Sequence, residues 1–125
     1  MSEPFFFPKG RSSGYALCLM SILPRLREIA REKGYALAVH GSMERDFDLL
    51  ACPWTEEASS ADELAEALRD EYHGHYGVTH GKPRDENPES KPHGRKAYSW
   101  YYYTFDETSL GPYVDLSVMP REQDR

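Results

Sequence analysis

The chain predicts an α/β (α+β) protein of four to five strands packed against two helices, and three observations carry that expectation. Two short apolar runs, Ala36 to Val39 and Phe47 to Cys52, flank the polar connection HGSMERD and have the length of single buried strands. Two other segments repeat apolar residues at threes and fours, as helices do: Tyr15 to Lys33, and about Ser60 to Tyr72. Near the C-terminus the aromatic run Ala97 to Phe105 and the run Tyr113 to Met119 are rich in strand-forming residues and are separated by a Leu-Gly-Pro turn, so they should pair as a hairpin.

Taken in order, residues 1–14 read as an irregular arm of two Pro, two Gly and three Ser around Phe5, Phe6 and Phe7, an aromatic triplet that needs cover from its own domain or from a second copy. Residues 15–120 read as one domain. Its first helix places Leu19, Ile22, Leu23, Leu26, Ile29 and Ala30 on one face, with Ser21 as the expected cap, Pro24 in the first turn and Gly34 as the stop. Pro53 closes the second strand, and the stretch from Thr55 to Glu63 supplies capping hydroxyls and acids ahead of Leu64, Ala65, Leu68 and Tyr72. From about residue 73 to 96 the Gly, Pro and charge content predicts a long loop holding at most one short strand around Val78. Residues 121–125 form a tail.

With 125 residues, 39% hydrophobic and 29% charged, the chain supports one core and is not of the disordered class. A net charge of −6 argues against phosphate-backbone binding by the surface as a whole. Cys18 and Cys52 stand among apolar neighbours and read as small buried hydrophobes. No signal peptide or apolar run of membrane-spanning length is visible, so the expected setting is cytoplasmic, without membrane contact.

The chemistry concentrates between the first two strands. Asp46 and Asp48 are two apart, so on an extended chain both carboxylates leave the same sheet face, while Phe47 faces the other way. Adjacent carboxylates repel one another and raise each other's pKa unless positive charge lies between them, and hard oxygen ligands suit Mg2+, Mn2+ or Ca2+, of which Mg2+ or Mn2+ is the expected cofactor. A turn with one solvent-facing Asp fits the same residues. Asp115, alone in the apolar run Val114 to Leu116, is a candidate third carboxylate, because burial of an unpaired acid is costly.

A helix, a strand ending in Gly41-Ser42, a strand opening with Asp46-x-Asp48, a second helix and a later strand carrying Asp115 together resemble the nucleotidyltransferase fold of the DNA polymerase beta superfamily, over roughly Ser21 to Met119. The resemblance implies a mixed sheet. It implies that Gly41 and Ser42 hold the triphosphate of a nucleoside triphosphate, that Asp46, Asp48 and Asp115 hold magnesium, and that Asp115 helps to activate the attacking hydroxyl. The implied reaction moves a nucleotidyl group to an acceptor, which the resemblance leaves open among a protein, an RNA and a small molecule. Three convergent carboxylates can bridge the pair of cations, about 3.5–4 Å apart, that steadies such a displacement. The wording VHGSMERDFDLLACPW, KPHGRKAY and YVDLSVMP also resembles small bacteriophage and prophage proteins, a likeness that brings no activity with it.

The family's loop from Gly-Ser to the first Asp is much longer, whereas here only Met43, Glu44 and Arg45 intervene. That shortening favours an alternative: a catalytically inactive, phage-type protein of the same fold that binds a nucleotide or a host factor, as a homodimer through Phe5 to Phe7.

Arg95 is the expected phosphate ligand within the basic group Lys91, His93, Arg95 and Lys96, with Arg45 as a second, although a solvated loop neutralised by Asp85, Glu86 and Glu89 suits the former equally. His73, His75 and His80 lack the regularity of a zinc site and read as a polar loop. His40 reads as hydrogen-bonded structure before it reads as a base. Tyr98 to Tyr103 could stack on bases, but on a strand they are first of all packing.

Overall fold

The structure is a computed structural model and describes residues 20–41, 47–76, 88–101 and 113–125. The arm, Cys18, Ser42, Arg45, Asp46, Val78, His80 and the Leu-Gly-Pro turn lie outside the described residues. The fold is α+β: a five-stranded mixed sheet with two helices.

Helix α1 spans Leu23–Glu32 and follows a 3-10 turn at Met20–Ile22. Ser21 lies inside that turn and does not cap the helix; Ile22 holds the cap position without a side-chain bond, while Pro24 falls in the first turn. Leu23, Leu26, Ile29 and Ala30 are buried along one stripe, each a turn apart, while Arg25, Arg27 and Arg31 face outward. Gly34 ends the helix with φ 89°, a left-handed conformation that is costly for any residue with a Cβ.

Helix α2 spans Ala61–Tyr76. Among the capping hydroxyls and acids expected at its start, Ser60 and Glu63 form a capping box: the Ser60 N–H donates to Glu63 Oε1 at 3.1 Å, and the Glu63 N–H donates back to Ser60 Oγ at 3.2 Å. Those bonds from Ser60 hold the Glu63 carboxyl below its usual range. The helix runs four residues past Tyr72, so His73 and His75 belong to its last turn and not to a loop. Tyr72, fully buried and edge-on to Trp100 at 6.2 Å between ring centroids, anchors that turn to the sheet.

The strands are β1 (Tyr35–Val39), β2 (Phe47–Pro53), β3 (Glu89–Ser90), β4 (Lys96–Tyr101) and β5 (Tyr113–Val118), in the spatial order β1-β2-β5-β4-β3. β4 and β5 pair antiparallel, as the expected hairpin requires, with Tyr98 opposite Leu116. β1 and β2 are antiparallel, and β2 and β5 are parallel. A two-residue strand at Glu89–Ser90 and a 3-10 turn at Pro92–Gly94 lie within the stretch expected to be loop.

Alternation assigns the two faces. Leu37, Phe47, Leu49, Ala51, Tyr98, Trp100, Val114, Leu116 and Val118 join Leu26, Ile29, Leu64, Leu68 and Tyr72 in one core, so both helices cover the same face. Each fully buried Leu there stabilises the fold by about 1.5–3 kcal/mol. Tyr98 is buried, donates its hydroxyl proton to the Asp62 carboxylate, and by burial and that partner titrates above its usual range. Packing, not base stacking, is its role. On the other face lie Ala36 and Ala38, exposed, and Asp48, Leu50, Cys52, Ser99 and Asp115, half-buried. Cys52 thus alternates with buried Ala51 and is a free, half-buried thiol, not the core residue its apolar neighbours suggested.

The C-terminal segment is tied back to the body. Arg121 donates from Nε and Nη2 to the Asp124 carboxylate, both at 2.9 Å, and from Nη1 to the Ala58 carbonyl at 3.1 Å. The Arg121 side chain and backbone N–H hold the Asp124 carboxyl at about 2. A carboxyl depressed on folding stabilises the fold above its unfolded value of about 3.9, and that contribution is lost as pH falls from roughly 4 to 2. Because Asp124 is partly solvated, its worth should stay under about 1 kcal/mol. Asp124→Asn is therefore expected to lower the melting temperature by a few degrees at pH 6 and by much less at pH 2, where the folded carboxyl is about half protonated; an equal loss at both values would contradict the assignment.

Candidate functional site

The first two strands and β5 bring the sheet's acids together. The parallel ladder places Asp48 opposite Asp115, with Phe47 opposite Val114 and Leu49 opposite Leu116 on either side. In-register residues of neighbouring strands share a face and leave backbones about 4.8 Å apart. The two carboxylates therefore project side by side from the face that α1 and α2 leave uncovered. Phe47, Leu49, Val114 and Leu116 are each buried to 0% exposure, which locks this register: a one-residue slip of either strand would turn its own core side chains outward.

Gly41 closes the site on the β1 side. The His40 N–H donates to the Asp48 carbonyl at 3.0 Å, continuing the β1–β2 ladder by one residue, and Gly41 follows with φ 80°. A Cβ built on Gly41 would stand 2.5 Å from Asp48 Oδ2. Only a glycine lets the backbone come this close to the carboxylate. Ser42, Arg45 and Asp46 lie outside the described residues, so of the expected site the structure describes Gly41, Asp48, Arg95 and Asp115.

Arg95 is on the same face. Its Nη1 donates to Ser117 Oγ at 3.0 Å, and Ser117 is two residues beyond Asp115, roughly 7 Å along β5. The neighbouring cations diverge: Lys96 Nζ reaches Asp62 Oδ1 at 3.9 Å on the helix side, and Lys91 Nζ reaches Glu89 Oε2 at 3.9 Å. The basic segment is thus no single cluster; alternation on a strand sends Arg95 and Lys96 to opposite faces.

Sequence reasoning missed Ser99. The antiparallel β4–β5 ladder sets it opposite Asp115, half-buried on the same face. Asp48, Asp115 and Ser99 consequently form one transverse row across three strands, and the His40 backbone, one residue past β1, extends it to a fourth segment. No local spacing announces this row, because its members come from four separate segments and only the ladder register aligns them.

The described donors fit a hard divalent cation in kind, two carboxylates facing one side, and a hydroxyl next to them. Among the described residues no group of three His, Cys, Asp or Glu side chains converges as a metal cage, and Asp46, the expected third donor, lies beyond them. Among the described residues no helix is long and apolar enough to cross a membrane. No protein-family model matches the chain, and no curated protein matches it.

Proposed function

We propose that the protein is a metal-dependent nucleotidyltransferase that moves a nucleotidyl group from a nucleoside triphosphate to an acceptor. The in-register pairing of Asp48 with Asp115 on parallel strands carries this reading, since two carboxylates side by side on one face supply the hard oxygen donors that a divalent cation takes. Asp48, Asp115 and, two residues before Asp48 in the sequence, Asp46 would hold magnesium or manganese. The ion, when bound, supplies positive charge to phosphoryl oxygens. Asp115 accepts the proton of the acceptor hydroxyl as that oxygen bonds to the α-phosphorus and the bond from the α-phosphorus to the departing pyrophosphate breaks, with Ser99 beside it to position the hydroxyl. Arg95, held by Ser117, offers its remaining N–H groups to the phosphate tail. Gly41 leaves space at the Asp48 carboxylate that any side chain would fill.

A second reading keeps the site and removes the chemistry. Only Met43, Glu44 and Arg45 separate Ser42 from Asp46, a connection much shorter than the phosphate-holding loop of the family it resembles, and this favours a nucleotide-binding protein without transfer. Incubation with each labelled triphosphate, magnesium and a cell extract separates the two. Covalent label on an acceptor, lost with Asp48→Asn and reduced with Arg95→Ala, is the result expected of the transferase. Tight retention of label without transfer would establish the binder, and neither transfer nor retention would remove both.

A further inference from the structure

A second place on the molecule has the chemistry of a binding site and lies away from the acids. A groove of about 320 Å³ runs between α1 and the start of β1, lined by Arg27, Arg31, Gly34, Leu37, Trp54 and Thr55. Trp54 is 78% exposed, an unusual position for the largest apolar side chain. Arg27 and Arg31 are four residues apart on α1, so their side chains rise from the same helix face about 5–6 Å apart.

Among the described residues neither arginine has a carboxylate partner, although acids outnumber bases in this chain by 21 to 15 and Arg25, Arg69 and Arg121 are all paired. Two unneutralised guanidinium groups beside an exposed indole fit an anion that carries a flat ring. A phosphate suits the fork geometry of arginine, and a base suits the face of Trp54. An extended peptide fits less well. Arg27 Nε already donates to the Leu37 carbonyl at 3.3 Å, on the outer edge of β1 where a joining strand would need that acceptor.

We propose that this groove binds a nucleotide unit, its phosphate on Arg27 and Arg31 and its base stacked on Trp54. The unit comes from either a single-stranded nucleic acid or a free nucleotide. The groove sits at the Tyr35 end of β1, whereas His40 and Asp48 stand at the other; five residues of strand separate them by roughly 16 Å. Binding here is therefore independent of the acids and of metal.

The test uses the full chain in chelator, at low salt, with AMP, inorganic phosphate, a labelled mixed-sequence RNA decamer and an acidic decapeptide as probes. AMP or the RNA should bind, and Trp54→Ala should weaken that binding by about 5- to 150-fold, the range for loss of one stacked base. Arg27→Gln with Arg31→Gln should weaken it further and lower its salt dependence by about one ion per arginine. Asp48→Asn should leave it unchanged, which separates this site from the proposed transferase site. Tighter binding of the RNA than of AMP assigns the strand as source, and equal binding assigns the free nucleotide. Circular dichroism of each variant guards against misfolding, and Trp54→Phe, which keeps a ring, should retain most of the affinity. Binding indifferent to all three surface variants, binding of the peptide alone, or no binding of either nucleotide probe would overturn the proposal.

Discussion

Gly34→Ala should lower the melting temperature by on the order of 12 °C. Two terms add. Gly34 holds φ 89°, which costs an L-residue about 1–2 kcal/mol. A Cβ there would also lie 2.6 Å from the Ala58 Cα and 2.6 Å from Thr55 Oγ1, so backbone must move to admit it. That backbone is tied in place. The Gly34 carbonyl accepts from the Trp54 N–H at 2.8 Å and from the Thr55 N–H at 3.2 Å, and the Lys33 carbonyl accepts from the Ser59 N–H at 2.9 Å. A total of about 3 kcal/mol, at roughly 4 °C per kcal/mol for a domain of this size, gives the stated shift. Gly74→Ala is the control. It is an exposed glycine within α2, a Cβ there meets nothing within 4 Å, and alanine should raise stability by about 0.5–1 kcal/mol. Thermal melts of the two variants should therefore move in opposite directions; a Gly34→Ala protein that melts with the wild type would refute the packing described at that corner.

Magnesium or manganese should raise the melting temperature of the wild-type protein and leave Asp48→Asn nearly unmoved. At ten times its dissociation constant a ligand that binds only the folded state adds about 1.4 kcal/mol, which corresponds to about 5 °C here. The asparagine keeps the shape of Asp48 but removes one of the two charges in the register pair, and with it most of the attraction for a divalent ion. Asp70→Asn, on the exposed side of α2 next to Arg69, should retain the full metal effect. Melts of the three proteins in chelator and in excess magnesium, at constant ionic strength, supply the comparison. A wild type indifferent to both ions would take away the cofactor from the proposed function.

The parts of the fold legible in the chain are those governed by near neighbours. Ser60 and Glu63 are three residues apart and satisfy each other's backbone donors wherever the helix packs, so the start of α2 could be read directly. Gly34 was legible for the same reason. The end of α2 was not: His73 and Gly74 are weak helix residues, but Tyr72 buried against Trp100 holds the last turn, and that contact joins residues far apart in sequence. Ser21 failed as a cap because a 3-10 turn already occupies Met20–Ile22. At the candidate site, Asp48 and Asp115 could be singled out by their apolar flanks. Their common row with Ser99 could not, since it depends on two ladder registers. Arg27 and Arg31 looked like an ordinary solvated helix face, and only the three-dimensional position of Trp54 gives them a shared groove.

The parallel pairing of β2 with β5 also sets an order of events during folding. α1, β1, β2 and α2 are contiguous and can associate through short loops, whereas β5 must return across the intervening chain to reach its place between β2 and β4. Closing a loop of that size is entropically costly and slow compared with local contacts. Until it closes, the inner edge of β2 stands open, and Asp48 is without the neighbour the register gives it. On a ribosome the pair of neighbouring acids would thus come into being only after the last strand has emerged, so an incomplete chain carries the helices and the groove beside Trp54 but no Asp48–Asp115 neighbours.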